Sequence, residues 1–281
     1  MIGRVRGLKM RLAFLLVGLG LMAACGSERA NDPGPAVEAA QSQRASADLV
    51  SHGERLARVL GCFGCHGADL TGEDWSEPGF GRLWTANLTR AVPRYSDAQL
   101  AAVIRSGARP DGSELWEMPS HLFTRLTAGD MTALIAFLRS RTPVGAVHPG
   151  PLFEDAARRE VAGGTFNPAG GQVKEEGGRG PPDAGEQHRL GRYIVRATCA
   201  ECHGMDLQGG QPHPDAVPRP DLRVVVPAYD EAAFARLLRN GKALGDRELS
   251  MMSGVARGRY RYFTDDELNA VRQYLLAVSG T

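Results

Sequence analysis

The sequence predicts a mainly α-helical protein built from two tandem helical units joined by a Gly- and Pro-rich linker. The first observation behind this is an internal repeat. His66-Gly67-Ala68-Asp69-Leu70-Thr71-Gly72 returns as His203-Gly204-Met205-Asp206-Leu207-Gln208-Gly209, an offset of 137 residues. Asn87-Leu88 returns as Asp221-Leu222, Arg105-Ser106-Gly107 as Arg239-Asn240-Gly241, and Glu114 to Met118 as Glu248 to Met252, all at an offset of 134. Thr127 to Leu138 then matches Thr264 to Leu275 back at 137, so two compensating three-residue changes in loops explain the pattern. The second observation is a set of helix-start signals at matching places. The third is that no segment shows convincing strand alternation.

Each unit reads as a helix, a C-x-x-C-H segment, a loop, a second helix, a methionine loop and a terminal helix. The leading helices are expected around Leu49–Leu60 and Gln187–Ala197. Ser96-Asp97-Ala98-Gln99 is a capping box, in which a hydroxyl and a glutamine side chain satisfy each other's backbone donors; its helix stops at Gly107. Asp230 is the corresponding cap for a helix that stops at Gly241. Thr264-Asp265-Asp266-Glu267 is a full capping box and Thr127-Ala128-Gly129-Asp130 its counterpart. Leu134, Phe137 and Leu138, and then Leu268, Val271, Tyr274 and Leu275, keep helical spacing behind those caps. The boundaries read as 1–24 export signal, 25–45 tether, 46–144 first unit, 145–182 linker and 183–281 second unit. Within the linker, Asp155–Val161 is expected to form a helical turn or two, the rest to drape over the surface.

Composition narrows the function. Lys+Arg 33 against Asp+Glu 32 leaves a net charge of +1, which gives no basic footprint for nucleic acid. A mean hydropathy of −0.25 argues against a polytopic membrane protein. Five cysteines in 281 residues are too few for a disulfide-dense scaffold, and an odd number cannot all pair within one chain.

Arg4, Arg6, Lys9 and Arg11 precede an apolar run from Leu12 to Ala24 that is short for a membrane span, which is the pattern of an export signal. Leu21-Met22-Ala23-Ala24-Cys25 resembles the lipobox of bacterial lipoproteins. That resemblance implies cleavage before Cys25, lipidation of its sulfur, and a chain held to a membrane in the bacterial periplasm. A soluble secreted protein cut nearby is the alternative. Residues 25–45 are rich in Ala, Ser, Gln, Pro and Gly and read as a flexible tether.

The other four cysteines form Cys62-Phe63-Gly64-Cys65-His66 and Cys199-Ala200-Glu201-Cys202-His203. C-x-x-C-H is the attachment signature of c-type haem. Two thiols three positions apart reach the two vinyl groups of one porphyrin, and the adjacent histidine faces the iron. Two disulfides, a four-cysteine zinc site and a thioredoxin-like redox pair are the competing readings. They leave the paired histidines, the wide offset and the absence of a βαβ setting unexplained. The expected cofactors are therefore two haem c groups, on Cys62/Cys65 and Cys199/Cys202, with His66 and His203 as proximal iron ligands.

A sixth ligand remains to be named for each iron, and methionine thioether is the common choice in electron-transfer cytochromes. Met118 and Met252 occupy matching positions. Met251 stays open as an alternative, because it adjoins Met252.

The order C-x-x-C-H, methionine loop, terminal helix resembles the small class I cytochrome c domain, present twice, over roughly Ser46–Val144 and Asp183–Ser279. Asn87-Leu88-Thr89, Ile104-Arg105-Ser106-Gly107, Pro110-Asp111-Gly112, Met118-Pro119 and Leu134 to Ser140 look like the cytochrome c subunits of bacterial membrane-bound dehydrogenases and related dihaem carriers. The second unit has Met252-Ser253 where that family usually has Met-Pro. The resemblance also implies that a backbone carbonyl, often a proline's, orients each proximal histidine. Pro220 fits that place, and Ala86, its counterpart, is left without a role. Trp84, Arg82 and Arg109 are candidates to touch haem propionates, with surface packing as the alternative. His52, His121, His148, His188 and His213 have no match in the other unit and read as solvated or loop histidines. The function expected is an electron carrier between a dehydrogenase or respiratory donor and a cytochrome or terminal oxidase. A dihaem redox enzyme, such as a peroxidase or thiosulfate dehydrogenase, is the alternative.

Overall fold

The computed structural model describes residues 49–211 and 216–280. The expected export signal, the lipidated Cys25, the tether and His213 lie outside these residues.

The first unit opens with helix α1 (Leu49–Val59), whose face of His52, Gly53, Leu56, Ala57 and Val59 is buried. It is followed by α2 (Cys62–His66), β1 (Gly81–Arg82), α3 (Leu88–Ala91), α4 (Asp97–Ser106), α5 (Ser120–Phe123) and α6 (Ala128–Arg139). Between the units lie β2 (Leu152–Phe153), α7 (Asp155–Gly163) and α8 (Ala169–Glu176). The second unit runs α9 (Arg189–Ala197), α10 (Ala200–His203), α11 (Leu222–Val225), α12 (Glu231–Asn240), α13 (Ser250–Gly258) and α14 (Asp265–Ala277). The expected caps are formed. Ser96 and Gln99 close a full capping box on α4, and Thr264 and Glu267 do the same on α14. Asp230 accepts from Ala233 N at 2.7 Å, and Thr127 accepts from Asp130 N at 3.1 Å.

In each unit the leading helix crosses the terminal helix at a glycine. A Cβ on Gly53 of α1 would sit 1.9 Å from the Ala133 carbonyl oxygen of α6; one on Gly191 of α9 would sit 2.1 Å from that of Ala270 in α14. No other residue allows so close an approach. Below the crossings, Phe137 and Tyr274 occupy equivalent core positions at 1% and 0% exposure. Burial of each ring contributes on the order of 3 kcal/mol.

The two cores interlock. Ala197, Ala200 and Met205 of the second unit pack into the first unit's cluster around Leu56, Leu60 and Phe137. Val59 of the first packs into the second unit's cluster around Val195, Leu268 and Tyr274. Polar contacts bind the same junction. Arg55 pairs with Glu267. The Tyr193 hydroxyl donates to Asp130 Oδ2 at 2.6 Å and accepts from Thr127 N at 3.1 Å. Arg196, 4% exposed, donates to the carbonyl of Leu122 and to those of His121 (2.9 Å) and Gly177 (3.1 Å). Burial lowers its pKa to about 10, which still leaves it charged at neutral pH.

The segment between the units is more ordered than its composition suggests. β2 pairs antiparallel with β1, a small strand contact where none was expected. Two residues are too few to carry an alternation, so no period exists to read. The expected turn or two at residues 155–161 is the full helix α7, and α8 was not foreseen. Phe153 and Phe166 pack against Trp116 and Phe80, with ring centroids 4.7–5.7 Å apart. His148 donates from Nε2 to the Thr71 carbonyl at 2.7 Å and stacks on Trp84 at 4.3 Å. Two of the histidines read as solvated or loop residues are engaged: His148 here, still in a loop, and His52, which lies in α1, is 6% exposed and bonds Asp130 at 3.1 Å. His121 is half-buried, and burial lowers its pKa. Among the described residues no helix is long and apolar enough to cross a membrane.

Candidate haem centres

Both C-x-x-C-H segments fold as a single helical turn, α2 and α10, closed by a glycine of positive φ: Gly67 at 81° and Gly204 at 75°. The chain then turns back on itself. Gly72 N donates to the His66 carbonyl at 2.8 Å and Gly209 N to that of His203 at 2.9 Å. Leu70 and Leu207 both take a left-handed φ of 64° and are almost fully buried. Such a conformation costs on the order of 1 kcal/mol in a non-glycine residue, and burial of the leucine side chain offsets it. Their carbonyls accept from Leu88 N (2.8 Å) and Leu222 N (2.9 Å). Those bonds carry the strands of chain before α3 and α11 beneath the histidines.

The result is one geometry made twice. His66 Nδ1 lies 2.8 Å from the Ala86 carbonyl oxygen, and His203 Nδ1 lies 2.9 Å from that of Pro220. A carbonyl only accepts, so Nδ1 carries the proton and Nε2 is the nitrogen left for a metal. Pro220 stands where the family resemblance placed it. Ala86, left without a role, makes the same bond, because a backbone carbonyl does not depend on its side chain. Burial holds both imidazoles below the ordinary histidine pKa, against the opposing pull of these bonds, and so favours the neutral form that can bind iron.

All four motif cysteines are half-buried, and none is paired in a disulfide. Burial pushes Cys62 up to about 12 and Cys199 up to about 11, and raises Cys65 and Cys202. The positive charge of Arg259 opposes the rise at every one of the four. Unpaired thiols three positions apart, beside an imidazole already oriented through Nδ1, fit a covalently attached haem. A zinc site is not supported: among the described residues no three His, Cys, Asp or Glu side chains gather around a common point.

Met118 is partly buried and packs against the same core cluster as Cys62. Met252 packs likewise against the cluster that Cys199 touches, whereas Met251 is 64% exposed. The two loops differ in detail. Met118 directly follows a left-handed residue, Glu117 (φ 59°), and precedes α5. In the second unit the left-handed residue is Ser250 (φ 44°), and Met252 falls inside the first turn of α13, not in an open loop. Without a proline after the methionine, the helix begins earlier. By backbone landmark Met251 corresponds to Met118, and by packing Met252 does.

Two of the three propionate candidates have other partners, and the third is exposed. Trp84 stacks on His148. Arg109 donates to Ser113 Oγ at 3.2 Å and to the Glu114 carbonyl at 2.8 Å. Arg82 lies in β1.

The Cytochrome c family model matches residues 50–142 and again residues 189–279. The chain belongs to the cytochrome c family. Two such domains imply two covalently bound c-type haems and an electron-carrying role. This cytochrome is 28% identical over 274 residues to the cytochrome c subunit of a quinone alcohol dehydrogenase from Gluconacetobacter polyoxogenes, an alignment that covers 84% of this chain and 57% of the relative. It is 24% identical over 260 residues to the fructose dehydrogenase cytochrome subunit of Gluconobacter japonicus, covering 82% of this chain and 52% of that one. A shorter match, 34% over 98 residues, joins it to cytochrome c55X of Paracoccus denitrificans, covering 34% of this chain and 79% of the relative. The cytochrome thus spans little more than half the length of the dehydrogenase subunits it resembles.

Proposed function

We propose that this cytochrome is the electron-transfer partner of a periplasmic dehydrogenase and passes electrons to a second cytochrome or a terminal oxidase. The observation that carries this reading is the histidine–carbonyl pair made twice, at His66–Ala86 and His203–Pro220. The names of the relatives, cytochrome subunits of alcohol and fructose dehydrogenases, supply the class of donor. Cys62 and Cys65 hold one haem and Cys199 and Cys202 the other. His66 with Met118, and His203 with Met252, are the residues that would hold the two irons. The bound haems supply one-electron redox chemistry. The chain's own residues do the rest: carbonyls fix the imidazoles, the methionines would supply the second ligand to each iron, and the apolar clusters exclude water. A histidine and a methionine on each iron would leave no open site for substrate, so we read the chain as a carrier and not a catalyst. Cys25 is proposed to be lipidated, which would hold the carrier at the periplasmic face of a membrane.

Export expression followed by a pyridine haemochrome assay and intact mass should give two haems per chain. A colourless protein overturns the reading, and so does a high-spin haem with peroxidase turnover. Incorporation of labelled fatty acid that is lost in Cys25→Ser tests the anchor. Rapid reduction by a quinone-dependent alcohol or fructose dehydrogenase tests the donor class, and no reduction by either would remove it.

A further inference from the structure

The two attachment motifs meet at one side chain. Arg259, at the end of α13, donates from Nη1 to Glu201 at 2.6 Å, and Glu201 stands between Cys199 and Cys202. Its Nε donates to the Val59 carbonyl at 3.1 Å. A Cβ on Gly61, the residue before Cys62, would lie 2.8 Å from Arg259 Cζ, so the guanidinium sits directly against the backbone there. The side chain is 15% exposed, and its Nη2 is buried with no hydrogen-bond partner. Burial opposes its charge, but the Glu201 carboxylate in contact with it favours the cation, so the group stays charged. A buried cation with an unspent donor is costly for a fold to keep. Stability alone does not account for one placed where both haem sites adjoin.

We propose that Arg259 is an electrostatic positioning residue common to both haems: its buried charge, held between Glu201 of one motif and Gly61 beside the other, raises both reduction potentials together. The proposal rests on the reading of the chain as a two-haem carrier. The physical reason is direct. Reduction adds an electron to the haem, and a fixed positive charge in a poorly solvated setting favours that state, while a negative one disfavours it. One cation acting on two irons keeps their potentials in step, which suits a protein that must hand electrons from one haem to the other.

The test is a spectroelectrochemical titration of the exported holoprotein, with haem content measured in the same samples. Arg259→Gln should lower both midpoint potentials with two haems still bound. Glu201→Gln should raise both, the opposite sign for the opposite charge. Arg259→Lys should leave smaller shifts of the Arg259→Gln sign, and Arg158→Gln, on α7, should shift neither. A tenfold change in either haem's reduction equilibrium is a shift of 59 mV for a one-electron couple. Movement of only one potential, of neither, or in the same direction for the Arg259 and Glu201 variants overturns the proposal. If Arg259→Gln does not accumulate, Arg259→Lys and Glu201→Gln give the same comparison. Fewer than two haems in the unmutated protein would instead overturn the two-haem reading, so the two failures are distinct.

Discussion

Arg55 grips Glu267 with both terminal nitrogens, Nη1 to Oε2 at 2.7 Å and Nη2 to Oε1 at 3.0 Å. The pair joins α1 of the first cytochrome domain to α14 of the second, at side-chain exposures of 20% and 9%. The same Oε2 also accepts from Thr264 N at 2.8 Å, so one carboxylate both caps its own helix and fastens the other domain.

These two duties separate by mutation. Glu267→Gln keeps a capping acceptor and loses the charge, whereas Glu267→Ala loses both. Removing Arg55 as Arg55→Met leaves a nearly buried carboxylate without its cation. We expect Arg55→Met to cost about 2–3 kcal/mol, below the full penalty of a buried pair because some water reaches it. Glu267→Ala should cost about 1 kcal/mol more than Glu267→Gln through the lost cap. Denaturant melts of the holoprotein check both, and equal costs for the two Glu267 variants would contradict the dual role.

Gly53→Ala and Gly191→Ala should each destabilise strongly. Their Cβ atoms would lie 1.9 and 2.1 Å from carbonyl oxygens of the opposing helix. The helices must separate to make room, at about 3 kcal/mol each. Gly164→Ala, where nothing lies near the added atom, is the useful contrast for steric clash, although its φ of 71° carries a strain of its own.

Tyr193 sets an alkaline limit. Burial, with the Asp130 carboxylate beside it, holds its phenol well above the ordinary value of 10.0. Below that pH the folded and unfolded chains both keep the proton, and the contribution to stability is complete. Above it the unfolded chain releases the proton and the folded chain does not, so stability falls as pH rises. Buried Tyr260 and Tyr274 shift in the same direction and add to the slope. Tyr193→Phe should cost about 1–2 kcal/mol at neutral pH, because the Thr127 N–H and Asp130 lose a partner. It should also flatten the fall above pH 10. An unchanged slope in melts across that range would remove Tyr193 from this role.

The axial methionines are separable by spectrum. Met118→Ala and Met252→Ala should each abolish one of two Met–iron charge-transfer bands, and Met251→Ala should leave both. If Met251→Ala removes the second band instead, the backbone landmark at Ser250 outranks the packing of Met252.

Much of this was legible because the chain states it twice. The caps at Ser96, Asp230 and Thr264 and the C-x-x-C-H turns come from residue types whose chemistry is local, and the place of Pro220 from the family resemblance. What stayed hidden has physical reasons. Gly53 precedes Cys62 by nine residues and Gly191 precedes Cys199 by eight. That one-residue difference breaks the constant offset, and the helix crossing went unread. Ala86 works through its backbone, which no residue type advertises. His52, Arg55, Tyr193, Arg196 and Arg259 build the junction, which each domain meets with a different face, so a comparison of one copy with the other passes over them. The ordered linker depends on Trp116 and Phe80 arriving from the first domain, and nothing within residues 145–182 signals that.

The interlocked cores carry a consequence for how such a protein can change over evolutionary time. Ala200, from inside the second motif, completes the first domain's core, and Val59 completes the second's. A duplicated domain ordinarily remains a spare part that can be deleted, swapped or fused elsewhere. Here each copy supplies interior to its sibling, so neither is portable. The pair will be inherited as a single indivisible unit, and substitutions along the seam will need to arrive in partnered form on both sides.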